Sequence, residues 1–130
     1  MNKPGAHDGR ELEMLLTGQK PLAAFSGYDG FSESDATGGQ DFANAVASSR
    51  VLRFEETFEI DGQPVYVVAF TRPEESWRGP AYLHLIRFLY DRAWCPHLEW
   101  LQGSLLGYSD AENSAHLLQK YGRERLNETC

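Results

Sequence analysis

The sequence contains little cysteine, no long apolar stretch and little positive charge. Its 130 residues include only two cysteines, Cys95 and Cys130, and neither belongs to a CxxC pair. This excludes the cysteine-dense framework that holds many small secreted domains together. Because Cys130 is the last residue and chain ends are rarely fixed, both cysteines are expected to be free thiols in a reducing compartment.

Membrane and targeting segments are also missing from the sequence. No apolar run approaches the roughly 18 residues that a membrane-spanning helix needs. Residues 1–10 are polar and lack the apolar centre of a secretory signal peptide. These absences predict a cytoplasmic protein that does not enter a membrane. The GxSxG, P-loop and GxGxxG motifs are absent too, so no cofactor is expected.

Acidic residues outnumber basic ones, 19 against 12, which gives a net charge of −7. Most of the excess lies in residues 29–61, where eight acidic residues accompany Arg50 and Arg53. Such a chain lacks the basic surface that nucleic-acid binding requires, so a basic protein partner or a cation is the better match. The alternative is that these acidic residues only keep a loop and a strand face solvated.

A β-hairpin over residues 51–72 is the strongest structural signal. Asp61-Gly62 is a two-residue turn signal between two strand-like runs, so Ile60 is predicted to pair with Gln63. Strand alternation then gives the hairpin one core face, formed by Leu52, Phe54, Phe58, Ile60, Val65, Val67 and Ala69. The second strand is apolar on its other face as well, which predicts a central strand flanked by the apolar run at residues 22–25.

Helical patterns surround the hairpin. Capping and periodicity predict helices over Asp8–Thr17, Asp41–Ala47, Pro80–Ala93, Pro96–Gly107 and Ser109–Gly122. The inner positions expected for the last two are Leu98, Leu101 and Leu105, followed by Ala111, Ala115, Leu118 and Tyr121. The predicted fold is therefore α+β, with a small antiparallel sheet covered by three C-terminal helices and an N-terminal helix. It forms a single domain over residues 1–130, with flexible tails at 1–7 and 123–130 and a long loop at 26–40.

Glu56 is the weak catalytic candidate, because the hairpin register places it on the core face between Phe54 and Phe58. A desolvated carboxylate has a raised pKa and can act as a general acid or base. The alternative is a β-bulge at Glu55-Glu56 that turns the side chain towards water.

Cys95, His97 and His84 are the nearest approach to a metal or nucleophile site. The sequence has no CxxC pair and no HExxH, so no metal site is predicted. A Cys–His nucleophilic pair is equally unsupported, because Pro96 removes the N–H that would follow Cys95.

Three residues in the second half are candidates for a partner surface. Trp77-Arg78 combines residue types enriched at binding hot spots, although Trp77 could instead fill the core while Arg78 neutralises Glu74 and Glu75. Trp100 falls opposite Leu98 and Leu101 on a helical wheel, which favours an exposed position, unless it packs against the last helix.

The sequence favours a non-catalytic interaction or regulatory protein, such as an inhibitor, an adaptor or an accessory factor. The partner-binding candidates are Asp29, Glu33, Asp35, Glu55, Glu59, Trp77, Arg78 and Trp100. The alternative is a small enzyme or small-molecule binder, with a pocket between sheet and helices around Glu56, Tyr82 or His84. A homodimer through a sheet edge or through Trp100 is a further alternative.

Overall fold

The computed structural model describes residues 9–91 and 95–123. The elements in chain order are α1 Glu11–Leu16, β1 Leu22–Gly27, α2 Glu33–Ala36, α3 Phe42–Ala47, β2 Leu52–Ile60, β3 Gln63–Thr71, α4 Arg78–Asp91, α5 Pro96–Leu106 and α6 Asp110–Tyr121, with a short 3-10 turn at Pro73–Glu75. The predicted α+β class is confirmed. Asp8, Trp94, the predicted tail at 1–7 and all of the predicted tail at 123–130 except Arg123 lie outside the described residues. Within those residues no helix is both long and apolar enough to cross a membrane.

The three strands form one antiparallel sheet in the order β1-β3-β2. The predicted hairpin register is confirmed, with Ile60 opposite Gln63 and each earlier pair in step. Asp61 and Gly62 have φ values of 51° and 79°, which is the left-handed pair that a two-residue hairpin turn requires. The predicted flanking strand is confirmed as well, because β1 pairs along β3 from Leu22 opposite Thr71.

Helices lie on both sides of the sheet. On one side, which we call the closed face, α4 and α5 pack on the sheet through a core that contains Phe58, Val67 and Leu89. On the other side, which we call the open face, α1 and α3 cover β1 and β3. There Phe42 stacks on Phe70 with ring centroids 4.2 Å apart. Strand β3 is therefore buried on both sides, as its apolar sequence predicts.

Helix α1 begins at Glu11, later than predicted, and its first turn is closed by the segment that precedes α3. The Leu12 N–H donates to Gln40 Oε1 at 2.8 Å, while Gln40 Nε2 donates to Glu11 Oε1 at 2.9 Å. Gln40 thus supplies the cap that a helix N-terminus needs. The predicted loop at residues 26–40 includes the end of β1, the one-turn helix α2 and this contact.

The ends of α5 and α6 match the sequence, but their inner faces do not. Gly107 ends α5 with φ 98°, and the Ser109–Glu112 capping box is present. The expected inner position Leu101 is 47% exposed, and Leu118 is exposed too. In α6 the buried residues are Asn113 and Leu117, not Ala111 and Ala115. Asn113 is buried because its amide donates to Ser104 Oγ at 3.2 Å, a contact that hydrophobic periodicity cannot indicate.

Candidate functional site

The candidate site is the free edge of β2, together with the side chains that β2 directs to the open face of the sheet. Its residues Arg53, Glu55, Thr57 and Glu59 are all exposed on the open face, and we call this row the open edge. No strand of the described residues pairs with the outer side of β2. Because Ile60 and Gln63 form the hydrogen-bonded pair next to the turn, the alternate residues direct their backbone N–H and C=O away from β3. The open edge therefore presents unpaired main-chain groups beside acidic side chains.

Arg53 holds two of the predicted partner-binding carboxylates. Its Nη2 atom lies 2.7 Å from Glu33 Oε1 and 3.0 Å from Glu55 Oε2. These contacts raise the pKa of Arg53, with the Glu33 hydrogen bond as the largest cause. Arg53 therefore ties α2 to the sheet and neutralises part of the charge of Glu33 and Glu55, so these carboxylates have a structural role as well.

Three other predicted acidic candidates remain exposed. The structure records no ion pair between Asp29, Asp35 or Glu59 and any other described residue. Asp29 follows the end of β1, where Gly27 pairs with Tyr66, and Tyr66 in turn pairs with Thr57. Asp29 and Glu59 thus lie towards the same end of the sheet as the hairpin turn.

An exposed aromatic residue beside Asp29 was missed by the sequence reasoning. Tyr28 is 56% exposed. The neighbouring Phe31 stacks on Tyr66, with ring centroids 6.3 Å apart and an interplanar angle of 7°. A Cβ atom on Gly27 would overlap the Phe31 ring, so glycine is needed for this close approach. The sequence signal for this feature is the pair of aromatic residues Tyr28 and Phe31, which lies in a segment predicted as a loop from its Gly and Ser content.

Glu56 is not an isolated buried carboxylate. The β2–β3 register is continuous through it, so the predicted bulge alternative is wrong. Its side chain is 25% exposed, and its Oε1 atom lies 3.1 Å from Arg87 Nη1 of α4. Arg87 also lies over the Phe58 ring, with its Cζ atom 5.8 Å from the centroid. Glu56 therefore reaches the margin of the closed face and is paired there with a cation.

Trp77 and Arg78 are adjacent in sequence but have different surroundings. Trp77 is 58% exposed, so the interpretation of it as a core residue is wrong. Arg78 stacks on the Trp77 ring at 4.7 Å, donates to Glu75 at 2.7 Å and donates to the Ser104 carbonyl at 3.0 Å. Arg78 thus joins the start of α4 to the end of α5. It does not neutralise Glu74, which pairs with Arg72.

Trp100 is half-buried and lines a cleft of about 330 Å³ between α5 and α6, with Pro96, His97, Ser114 and Leu117. Trp100 is thus neither fully exposed nor fully buried, and it shares the cleft with Ser114 and Leu117 of α6.

Cys95 is buried and disulfide-bonded, so the expectation of a free thiol is wrong for this residue. His84 and His97 are both exposed. In residues 9–91 and 95–123 no group of three or more His, Cys, Asp or Glu side chains is arranged to hold a metal ion.

A buried acidic residue on α5 was also missed. The Glu99 side chain is 5% exposed, and its Oε1 atom lies 2.7 Å from Lys120 Nζ and 3.9 Å from His116 Nε2, both on α6. Its Oε2 atom has no hydrogen-bond partner among the described residues. A charged side chain of this kind lies inside only when it is paired, and the partners are 17 and 21 residues away, so periodicity gives no signal for it.

Comparison of the chain with protein-family models, with curated proteins and with solved structures gives no match. The function is therefore inferred from the chain's own residues.

Proposed function

We propose that the protein is a small non-catalytic interaction or regulatory protein that binds a basic protein partner along the open edge. The observation that carries this proposal is the edge strand β2, which has nine residues and an exposed outward row that includes Glu55 and Glu59. An inhibitor, an adaptor and an accessory factor all use such a surface.

The strand edge favours a specific mode of binding. An extended segment of the partner adds to β2 and pairs with the main-chain groups that point away from β3. Side chains directly across an antiparallel pair lie roughly 5 Å apart, so Lys or Arg of the partner would face Glu55 and Glu59. Asp29, Asp35 and the exposed aromatic residues Tyr28 and Trp77 are further contact candidates.

The charges of the edge limit how a second copy of the chain could pair with it. Symmetric antiparallel pairing about Thr57 would place Glu55 of one copy opposite Glu59 of the other, and like charges directly opposite are destabilising. Pairing centred on Glu56 would instead place Arg53 opposite Glu59, so a homodimer at this strand would use that register. A homodimer through Trp100 is an alternative that light scattering after size-exclusion chromatography would detect.

The catalytic alternative has less support. Glu56 is paired with Arg87 and is not among the residues that line the cleft beside Trp100. A cytoplasmic location was predicted in part from free thiols, and the disulfide at Cys95 removes that reason. The proposed binding mode requires no particular compartment.

The test is parallel affinity capture from an extract of the native host. The baits are the wild type, the double variant Glu55→Lys/Glu59→Lys, and the control Glu13→Lys, which reverses an exposed charge on α1. We expect a protein with a basic segment that the wild type and the control retain and the double variant loses. Its affinity should fall steeply when the salt concentration rises.

Equal retention of every protein by the three baits would overturn the proposal, and so would binding that does not change with salt. Circular dichroism of each variant separates a lost contact from a lost fold. If the charges only keep the strand solvated, the double variant will retain every partner and will stay as soluble as the wild type, because lysine also protects a strand edge from aggregation.

A further inference from the structure

Strand β2 directs a second row of side chains to the closed face of the sheet, and this row is mostly apolar. Alternation along the strand places five residues in it, which are Leu52, Phe54, Glu56, Phe58 and Ile60. Phe58 is buried, whereas the other apolar members are only partly buried. Phe54 and Ile60 pack against the closed-face core and also border the side of β2 that no described strand covers. The core of the closed face is therefore open to solvent along this edge.

Helix α4 lies above this row of side chains. At its start, Gly79 lies so close to the Phe54 ring that a Cβ atom there would overlap it. Towards its end, Arg87 lies over the Phe58 ring and pairs with Glu56. Helix α4 packs on both β2 and β3, and a helix with its side chains is about 10–12 Å wide. Its outer side therefore borders the position, about 4.8 Å beyond β2, where an added strand would lie.

A strand added to β2 would meet a different surface on each face of the sheet, because its side chains alternate between the two faces. Side chains opposite Glu55 and Glu59 lie on the open face, where the proposed function places Lys or Arg. Side chains opposite Phe54, Phe58 and Ile60 lie on the closed face, next to α4. Apolar side chains there gain free energy because they leave water, and an unpaired charge there would lose hydration. The two faces of β2 therefore favour different residue types in the partner.

We infer that the segment bound at the edge of β2 is amphipathic, with Lys or Arg on one side and apolar, β-branched residues on the other. Residues of the second kind pack well on the pleated surface of a sheet. This inference rests on the proposed function, because it describes the partner of the same strand. It adds that the closed-face row contributes to affinity, so that charge alone does not define the partner.

Two synthetic peptides of equal charge separate this inference from recognition by charge alone. The first is Val-Lys-Val-Thr-Val-Lys-Val with acetylated and amidated ends. In antiparallel pairing its lysines lie opposite Glu55 and Glu59, and its valines lie on the closed face. The second peptide has threonine in place of each valine, which keeps the β-branched shape and adds a hydroxyl group.

The measurement is an amide NMR titration of the full chain with each peptide at low salt. We expect saturable shifts along β2 and about tenfold tighter binding of the valine peptide. Ile60→Thr should reduce this preference to about threefold, because it makes the closed-face row more polar. Leu118→Thr, at an exposed position on α6, is the matched control and should leave the preference unchanged. Circular dichroism shows whether each variant is folded, and the comparison of the two peptides on the wild type depends on neither variant.

Equal affinities for the two peptides would overturn the inference and would leave recognition by charge at the open edge in place. The inference is also wrong if neither peptide produces saturable shifts, and a dimer in light scattering would then assign the edge to a second copy of the chain. The proposed function fails in a different way. In that case the Glu55→Lys/Glu59→Lys variant would bind the valine peptide as tightly as the wild type does.

Discussion

The closed face and the open face of the sheet are built from the same three strands, but helices cover them to different extents. On the closed face, the 14-residue helix α4 reaches across to β2, and Phe58 is buried beneath it. On the open face, the six-residue helices α1 and α3 cover β1 and β3. The outward row of β2 is left in water, so its sequence alternates while that of β3 does not.

This difference shows that the extent to which helices cover a face determines which interactions stabilise it, because the same three strands form both faces. Apolar burial holds the closed face together, and its contribution is about 25 cal/mol per Å² removed from water. The open edge is held by ion pairs in water, which are worth less than about 1 kcal/mol each. Substitutions in the core of the closed face should therefore have large effects, and substitutions along the open edge should have small ones.

The largest effect should come from Leu89→Ala on the closed face. Leu89 is fully buried in α4, and removal of its side chain leaves a cavity, so we expect a loss of about 3 kcal/mol in the free energy of unfolding. Urea denaturation of this variant and of Leu101→Ala measures it. Leu101 is exposed, and its truncation should cost less than about 0.5 kcal/mol. Equal losses would refute the packing described for α4 and α5.

A pH effect should come from Tyr82, also on the closed face. Burial raises the pKa of Tyr82 to about 12. An unfolded tyrosine ionises near pH 10, so the stabilising contribution is complete below about pH 10 and is lost as the pH rises through about 12. The loss should reach roughly 2 kcal/mol by pH 12.

Comparison with Tyr82→Phe isolates this effect from other groups that ionise at high pH. The variant keeps the ring and lacks the ionisable hydroxyl, so its urea midpoint should fall less than that of the wild type between pH 9 and pH 11.5. Parallel decreases in the two proteins would contradict the burial of the hydroxyl group.

A smaller effect is expected on the open face from Arg53→Gln. This change removes the contacts to Glu33 and Glu55 and leaves two neighbouring carboxylates without their shared cation. Because the pairs are partly exposed, we expect a loss of about 0.5–1 kcal/mol at low salt, which should shrink at 0.5 M sodium chloride. Arg50→Gln is the control, because the Arg50 guanidinium donates only to the nearby Ser48 among the contacts that the structure gives it. A loss above 2 kcal/mol would mean that the open edge is not solvated as described.

The smallest effect should come from Glu56→Gln. The side chain pairs with Arg87, whose own side chain is half exposed. We therefore expect the free energy of unfolding, measured by thermal denaturation, to change by less than about 0.5 kcal/mol. A much larger loss would show that Glu56 is desolvated, which would restore the interest of this residue as an acid or base.

Local signals in the sequence predicted the hairpin well. Asp61-Gly62 sets the turn, and strict alternation in β2 then determines which side chains face the helices. The flanking strand followed from the apolar pattern of β3. These features depend on neighbours in the chain or on a repeat of two residues, and both can be read from the sequence alone.

Contacts between distant polar residues were not predictable in the same way. The inner face of α6 was misjudged because Asn113 is buried by its hydrogen bond to Ser104. The Arg53–Glu33 and Glu99–Lys120 pairs join residues about twenty positions apart, and Arg78 donates to the Ser104 carbonyl, which lies 26 positions along the chain. Periodicity describes which residues avoid water, but it does not show which charges meet once the helices are placed.

The strand order β1-β3-β2 also has a consequence for the order of folding. Strands β2 and β3 are joined by two residues, whereas β1 is separated from β3 by α2, α3 and β2. A hairpin closes in about 1–10 μs, and a pairing between distant segments requires a larger loop to close first. We therefore expect Val65→Ala, next to the turn, to slow refolding, and Ala23→Gly in β1 mainly to accelerate unfolding in stopped-flow measurements. The turn at Asp61-Gly62 would then be the nucleus of folding, with β1 the last strand to join the sheet.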